Sequence, residues 1–402
     1  MNIAIIGAGA AGCFCAAELR KRMPQAQICI FEAQARPMAK LAITGGGRCN
    51  ITNSFADIRS LSEAYPRGER LVKAAFRNLS PSDTVTWWEN AGVELTLQED
   101  QCYFPKSQSA LQVVHTLEFL IRGCTLLLRT KVRSICKDGD RFAIYSANSN
   151  VPQVFDVVVL CSGGGAVSML STLPQIEIQS PVPSLFSFRI NEPKLCALMG
   201  TTLPNAKLKL AGSKYEASGT LLVTDWGLSG PSVLKLSSYA ARELAEKGYK
   251  ARLLVNYLSL GQEELLSLIA SQKARFPQKL LLNMPLKGLS SRLWAYLLER
   301  AGIRSDMRWA ELGSKGAGRL ASVISADEYQ IEGRCRFKEE FVTAGGVAAS
   351  QVHRSTLESK SYPGLYFAGE VLDIDAICGG FNLQAAWSTA FSVAKSIAEK
   401  FL

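Results

Sequence analysis

The sequence predicts an α/β protein in which two separated segments, one near each end, build a single parallel-sheet domain and the stretch between them is inserted into it. Three observations carry this. Near the N-terminus an apolar strand, NIAIIG, passes through a glycine turn and the helix AGCFCAAELRKRM into a second apolar strand, AQICIFEA. Near the C-terminus the order returns as the strand GLYFAGEVL, the glycine turn CGGFNL and the helix QAAWSTAFSVAKSIAEKF. Between them, from about Phe186, the texture shifts to short strand-like runs broken by Gly, Pro and Asn. Continuous apolar strands joined by a helix indicate a parallel sheet buried on both faces, whereas short broken runs indicate a small β-rich domain.

Taken in order, the opening βαβ unit is followed by two segments of helical spacing, SDTVTWWENAGV and SALQVVHTLEFLIRG. LLLRTKVRSI, RFAIYSA and FDVVVLCSGGGA read as a meander that returns to the parallel sheet. SFRI, ALMGTTLPNAKLKLAG, SKYEASGTLLVTDWG and ARLLVNYL supply the β-rich insert, and GQEELLSLIASQKARF and SSRLWAYLLERAGI turn helical after it. The expected domains are 1–185 with 325–402 for the parallel-sheet domain, 186–258 for the β-rich domain and 259–324 for a helical one. A chain of 402 residues is long enough for two or three such cores.

Composition narrows the function. With 48% apolar and 20% charged residues the chain is globular, and no uninterrupted apolar run of about 18 residues is present to span a membrane. The N-terminus lacks the basic region of a secretory signal, so a cytoplasmic location is expected. Eleven cysteines, an odd number with no C-x-x-C pair, argue against a zinc ribbon and against a disulfide framework. Most sit in apolar runs and read as small buried hydrophobes. Cys49, between Arg48 and Asn50, is the exception. The two histidines, His115 and His353, lack evident partners, which leaves no basis for Ser-His-Asp chemistry or a His-rich metal site; no metal is expected, and a cofactor is expected to carry the difficult step. The net charge of +10 is concentrated: residues 186–320 hold 20 Lys/Arg against 10 Asp/Glu. Such a segment suits a polyanion or a solvated surface about equally.

The chemistry lies in the glycines. Gly7, Gly9 and Gly12 form G-x-G-x-x-G between strand and helix, and Glu32 ends the next strand twenty residues later. In that context the first glycine permits the turn, the second lets a pyrophosphate approach the backbone, and the third lets helix and strand pack; Glu32 is placed to accept from ribose hydroxyls. The fingerprint alone does not separate FAD from NAD. At the other end, Gly369-Glu370 closes a strand and Gly379-Gly380-Phe381-Asn382 opens the last helix, whose positive end could face the pyrimidine edge of a flavin.

Six motifs then occur in one order: Gly7–Gly12, Thr44–Asn50 (TGGGRCN), Tyr103–Ser107 (YFPKS), Gly227–Pro231 (GLSGP), Val342–Val347 (VTAGGV) and Glu358–Ser388. Nearly the whole chain thereby resembles the BaiN/RdsA family of NAD(P)/FAD-dependent oxidoreductases, the aminoacetone-oxidase-like flavoproteins. The resemblance implies a Rossmann-like two-segment FAD-binding domain with an inserted β-barrel-like domain and a helical domain. It also implies FAD contacts at Gly7, Gly9, Ala10, Ala11, Gly12 and Glu32, at Lys40 and the run Gly45, Gly46, Gly47, Arg48, Cys49 and Asn50, at Gly163, and at Gly369, Glu370, Gly379, Gly380, Phe381 and Asn382. The chain departs from the family pattern in three places. Met38-Ala39-Lys40 replaces a Gly-Arg-Lys step, which points to weaker FAD affinity. A stretch after Gly165 is missing, which points to a rebuilt pocket wall. Thr224-Asp225-Trp226 stands where a Thr-His pair is common, so a role tied to that histidine does not transfer.

Activities associated with the family include reduction of conjugated C=C bonds, among them uracil to dihydrouridine in ribosomal RNA, and oxidation of small amines. The leading expectation is therefore hydride transfer from reduced FAD to an activated C=C bond, with rRNA uridine as substrate and the basic insert as an RNA contact. The alternatives are an oxidase of a small amine such as aminoacetone, or a flavin-binding protein without turnover. Cys49 and Arg48 are the catalytic candidates: the cation and free backbone N–H groups beside Cys49 are expected to bias its thiol toward the thiolate. With one fingerprint present, NAD(P)H, if used, is expected to bind transiently at the flavin face.

Overall fold

The computed structural model describes residues 1–164, 167–335 and 342–402. The chain divides into two units, Met1–Pro183 with Val342–Leu402, and Ser184–Phe341.

The first unit is built on a five-stranded parallel sheet, in the order Leu365–Phe367, Val157–Leu160, Asn2–Ile6, Gln27–Phe31 and Thr125–Leu127. The first strand is thus central, and Ile3–Ile6 are buried as a strand covered on both faces must be. The C-terminal strand enters the sheet by pairing Leu365 with Val158, so both ends of the chain share one sheet. On it, the opening helix Ala10–Arg22 lies against the closing helix Phe381–Phe401. Alanine-rich faces let the helices approach, and Phe14 locks them, its ring centroid 5.3 Å from Trp387 and 4.2 Å from Trp87. Arg20, Lys21 and Arg22 in the last turn of the opening helix oppose its negative end.

LLLRTKVRSI is two elements. Thr125–Leu127 forms the edge of the parallel sheet, while Val132–Asp138 begins a separate antiparallel sheet with Arg141–Ser146 and Ser149–Phe155. The break comes at Arg129, whose φ is +52° and whose N–H donates to Gln34 O, with Thr130 N–H donating to Glu32 O. These bonds turn the chain before the meander starts.

In the second unit six antiparallel strands close a barrel in the order Phe188–Ile190, Gly227–Ser229, Glu216–Thr224, Thr202–Leu210, Ala251–Asn256 and Asp327–Arg334. The boundary expected at 325 is corrected here. Asp327–Arg334 pairs with Ala251–Asn256 on one side and Phe188–Ile190 on the other, so it closes the barrel and does not return to the parallel sheet. Its local pattern, alternately buried and exposed from Asp327 to Ile331, fits any half-buried strand; only its partners decide which sheet it joins. Nor do the helices after 259 form a core of their own. Leu265, Ile269, Trp294, Leu297 and Leu320 share one apolar cluster with the barrel residues Leu208, Val255 and Ile331. Trp294 and Trp309, aromatic side chains of the basic segment, are fully buried, stacked at 6.1 Å, with Trp294 donating to Leu281 O at 2.7 Å. Among the described residues, no helix is long and apolar enough to cross a membrane.

Candidate functional site

In the first unit the end of the central strand, the glycine turn and the opening helix make one compact feature. Gly7 has φ +104° and donates to Phe31 O at 2.8 Å. A Cβ on Gly7 would sit 2.5 Å from Cys161 O, and one on Gly12 only 1.9 Å from Gly7 O, so Gly7 lets the turn close on the end of the neighbouring strand and Gly12 lets the helix pack on that turn. Gly9 differs: among the described residues, a Cβ there would meet nothing within 4 Å. It is the N-cap of the opening helix, which has no side-chain cap and no acidic residue in its first turn. The helix start therefore keeps unpaired N–H donors and its positive end facing open space.

Glu32 is oriented from two sides. Its Oε2 accepts from Ala8 N–H and its Oε1 from Gln34 N–H, both at 2.8 Å. A carboxylate has about four acceptor sites, so each oxygen retains capacity for a further donor. Ala8 O accepts from Met38 N–H at 2.7 Å, which ties the following loop to this turn. Met38 is buried in a left-handed conformation (φ +53°) and Lys40 is exposed.

The glycine run breaks a short helix. After Ala39–Ile43 the backbone leaves helical geometry at Thr44, and Gly45, Gly46 and Gly47 all have positive φ (+58°, +68°, +83°). Cβ atoms on Gly46 and Gly47 would meet nothing within 4 Å, so this backbone lies bare at the surface. Arg48 is exposed, donates from Nε to Gly45 O at 3.2 Å and lies over the Phe104 ring at 4.4 Å. Cys49 goes inward, with 0% exposure. Burial pushes its thiol up to about 12, against a smaller lowering by the Thr44 hydroxyl. The expected bias toward thiolate is corrected: desolvation outweighs the neighbouring cation, whose guanidinium is turned to Phe104 and Gly45, and Cys49 keeps its proton at neutral pH.

The run continues directly into the closing helix. With its amide oriented to satisfy both ends, Asn50 donates to Thr52 O at 3.0 Å and accepts from Gly380 N–H at 3.1 Å. Asn53 Nδ2 donates to Gly379 O at 3.1 Å, and Trp387 Nε1 to Ile51 O at 3.0 Å. Phe381 is buried against Phe55 (4.9 Å), and its carbonyl accepts from Tyr65 OH. Asn382 closes its own loop, accepting from Ala376 N–H at 2.9 Å and donating to Ala376 O at 3.0 Å. The closing helix likewise starts without a side-chain cap on its N-cap Gly380 and without an acidic residue in its first turn.

Gly369 packs against the start of the opening helix, where its Cβ would lie 2.8 Å from Ala11 Cβ, and its N–H donates to Thr389 Oγ1. Glu370 accepts from Thr343 N–H at 2.6 Å, and a Cβ on Gly163 would sit 3.5 Å from its Oε2. Gly165 and Ala166, where the pocket wall was expected to be rebuilt, lie outside the described residues. The fold thus gathers the opening turn with Gly369, and the run Gly45–Asn50 with Gly379–Phe381. The GLSGP motif belongs to the barrel unit, where Gly227–Ser229 is a strand and Gly230 caps the helix Pro231–Tyr239.

Sequence reasoning missed the supports. Arg67 makes a two-pronged ion pair with Asp375, which is 0% exposed, and so anchors the loop leading to Cys378-Gly379-Gly380. Two carboxylates, Asp373 and Asp375, in the otherwise apolar run VLDIDAIC were the available signal. Trp87, which buttresses Phe14 and donates to buried Glu18 at 2.8 Å, had none beyond helical spacing.

The family model described as HI0933-like protein Rossmann domain matches residues 1–396. Among curated relatives, a ribosomal RNA dihydrouridine synthase of Haemophilus influenzae is 30% identical over 413 residues, covering 98% of each chain. One of the same name from Escherichia coli is 28% identical over 410 residues, covering 98% of this chain and 97% of the relative. A 3-dehydro-bile acid delta(4,6)-reductase of Clostridium scindens is 27% identical over 413 residues and 99% of each chain.

Proposed function

The chain belongs to the HI0933-like Rossmann-domain family and is an FAD-dependent oxidoreductase, and from that premise we propose that it reduces a carbonyl-conjugated C=C bond, with a uridine of ribosomal RNA as substrate. The observation that carries the reading is the pair of uncapped helix starts, at Gly9 and Gly380, in one unit with the bare glycine run. A two-ended cofactor with an adenosine at one end, an electron-accepting ring at the other and a diphosphate between them suits that arrangement. The open space at Gly9 is the space a pyrophosphate needs, and the residual acceptor capacity of Glu32 suits ribose hydroxyls.

In this reading Gly9, Ala10, Ala11 and Glu32 hold the ADP half on a turn that Gly7 and Gly12 allow to close, and Gly45–Asn50 with Gly369, Glu370 and Gly379 hold the remainder, while Gly380 lets the closing helix start against Asn50 and Thr52. Asn382 supports its loop, since both ends of its amide are engaged there. When bound and reduced, FAD supplies hydride. The chain's own contribution is electrostatic and steric. The positive end of the closing helix favours negative charge at its N-terminus by about 0.3–1 kcal/mol. Arg48, exposed beside the glycine run, is the proposed group that polarises the carbonyl conjugated to the substrate C=C bond and stabilises the negative charge that develops on its oxygen. Cys49 holds a proton at neutral pH and is the candidate donor to the neighbouring carbon; as a buried weak acid it gives up that proton reluctantly.

Both relatives named as rRNA dihydrouridine synthases match end to end, and the bile-acid enzyme is also named as a reductase, which favours C=C reduction over amine oxidation. Mass analysis of rRNA from cells with and without the gene tests the substrate: dihydrouridine is expected to disappear on deletion, and an unchanged content rejects it.

A further inference from the structure

The barrel-and-helix unit carries an open groove of about 560 Å³ where the helices Gln262–Arg275, Ser291–Arg300 and Ser314–Ala326 meet. Arg300, Lys315 and Arg319 line it together with Gln262, Gly318 and Ser322, and among the described residues no carboxylate does. Each cation is set differently. Arg300 is held from beneath: the buried Asp327 accepts from its Nε at 3.0 Å and from a second guanidinium nitrogen, while Glu328 O accepts at 3.1 Å. Asp327 is fixed in turn by the hydroxyls of Tyr257 (2.8 Å) and Tyr329 (2.5 Å), and Tyr296 OH lies 2.9 Å from that of Tyr329. A guanidinium anchored this way presents its outer edge without the entropy loss that an untethered side chain would suffer on binding.

Arg300 is neutralised by Asp327, so the net charge of the groove comes from Lys315 and Arg319. They lie one turn apart on the same helix face, about 6 Å along its axis. Arg319 is oriented by its Nε bond to Ala301 O at 3.0 Å. Lys315 is exposed and has no ion pair or hydrogen bond among the described residues. Between them Gly318 leaves a gap, for a Cβ there would meet nothing within 4 Å. Ser322 and Gln262, joined at 3.4 Å, add neutral polar groups.

Two net positive charges in register, neutral donors and a bare glycine face suit a strand of singly charged phosphodiesters. Base stacking is not on offer from Trp294 and Trp309, which are buried in the core. We propose that this groove docks the ribose-phosphate backbone of RNA, binding by charge and not by base sequence. The proposal rests on the rRNA reading above and adds to it a contact surface built on the inserted unit.

The test uses the full chain with FAD added and a fluorescent single-stranded rRNA transcript containing the site that loses dihydrouridine on deletion, or a uridine-rich rRNA transcript where none is lost. Lys315→Glu and Gly318→Glu are each expected to weaken binding roughly tenfold at moderate salt. Lys315→Gln, which only removes a charge, is expected to lower the slope of log affinity against log salt by about 0.7. Flavin absorbance and circular dichroism should stay as in wild type, which excludes misfolding as the cause. Wild-type RNA binding with unchanged affinity and salt slope in all three variants overturns the groove and leaves the rRNA substrate standing. A wild-type protein that does not bind the transcript and, with its FAD reduced by added dithionite, forms no dihydrouridine in it overturns both.

Discussion

The two helix starts of the first unit look alike in sequence, each a glycine before an alanine-rich or aromatic turn, yet they are built in opposite ways. At Gly9 the glycine faces open space, and its missing side chain leaves room for a ligand. At Gly380 the glycine is surrounded by protein: a Cβ would lie 2.6 Å from both the Asn50 side-chain amide and Thr52 O, and φ is +85°. One glycine keeps a site empty, and the other lets the chain cross itself. Glycine in a motif therefore does not by itself announce a ligand contact; what surrounds the absent Cβ decides between binding and packing.

The contrast can be pressed hardest at Gly12. Gly12→Ala puts a methyl 1.9 Å from a backbone oxygen that cannot swing aside, so a loss of about 3 kcal/mol or more, or failure to fold, is expected in denaturant titration. Gly380→Ala comes next. The left-handed backbone alone costs about 1–2 kcal/mol, and the clash with Thr52 O adds to it. Both stability and FAD binding should fall together in this variant.

Gly9→Ala is the sharpest comparison. It meets no protein atom, so its midpoint of unfolding without FAD should match wild type, while FAD affinity by fluorescence titration drops roughly tenfold, about 1.4 kcal/mol. An equal loss of apo stability and FAD affinity would mean that Gly9 is a packing glycine like Gly380. The smallest effect concerns the run between them. Cys49→Ala is expected to cost about 1 kcal/mol by removing a small buried group, and to slow product protonation if the thiol is the donor.

Alkaline pH offers a related measurement. Burial raises the thiols of Cys13, Cys15, Cys49 and Cys161 above their ordinary value of 9.0. The folded state therefore keeps protons that the unfolded chain releases. Stability should be level below about pH 9 and decline from there through about pH 12, where Cys49 titrates in the fold. Cys49→Ala should make that alkaline decline shallower, and an identical slope would contradict the raised thiol.

The legible parts of this protein were those whose signal is local. The apolar strands, the G-x-G-x-x-G turn and Glu32 lie within one βαβ unit of 32 residues, where periodicity and the demand for positive φ leave few alternatives. Cys49 was misread because its cation is adjacent in sequence, whereas its burial depends on how the chain folds over it, and burial is the stronger influence on the thiol. Arg67 and Asp375 pair across 308 positions, and neither carries a sequence signal naming the other.

By itself, then, the sequence determined the α/β class, the nucleotide turn, the shared sheet of the two ends and the concentration of positive charge in the insert, because each follows from short-range periodicity, backbone sterics or composition. Tertiary structure alone decided that Asp327–Arg334 closes the barrel, that Asn50 bonds to Gly380, that Gly9 stands open while Gly12 is filled, and that Lys315 and Arg319 share a groove with Arg300. Those outcomes depend on which distant surface a residue is pressed against, and a strand's or a glycine's immediate neighbours carry no record of that choice.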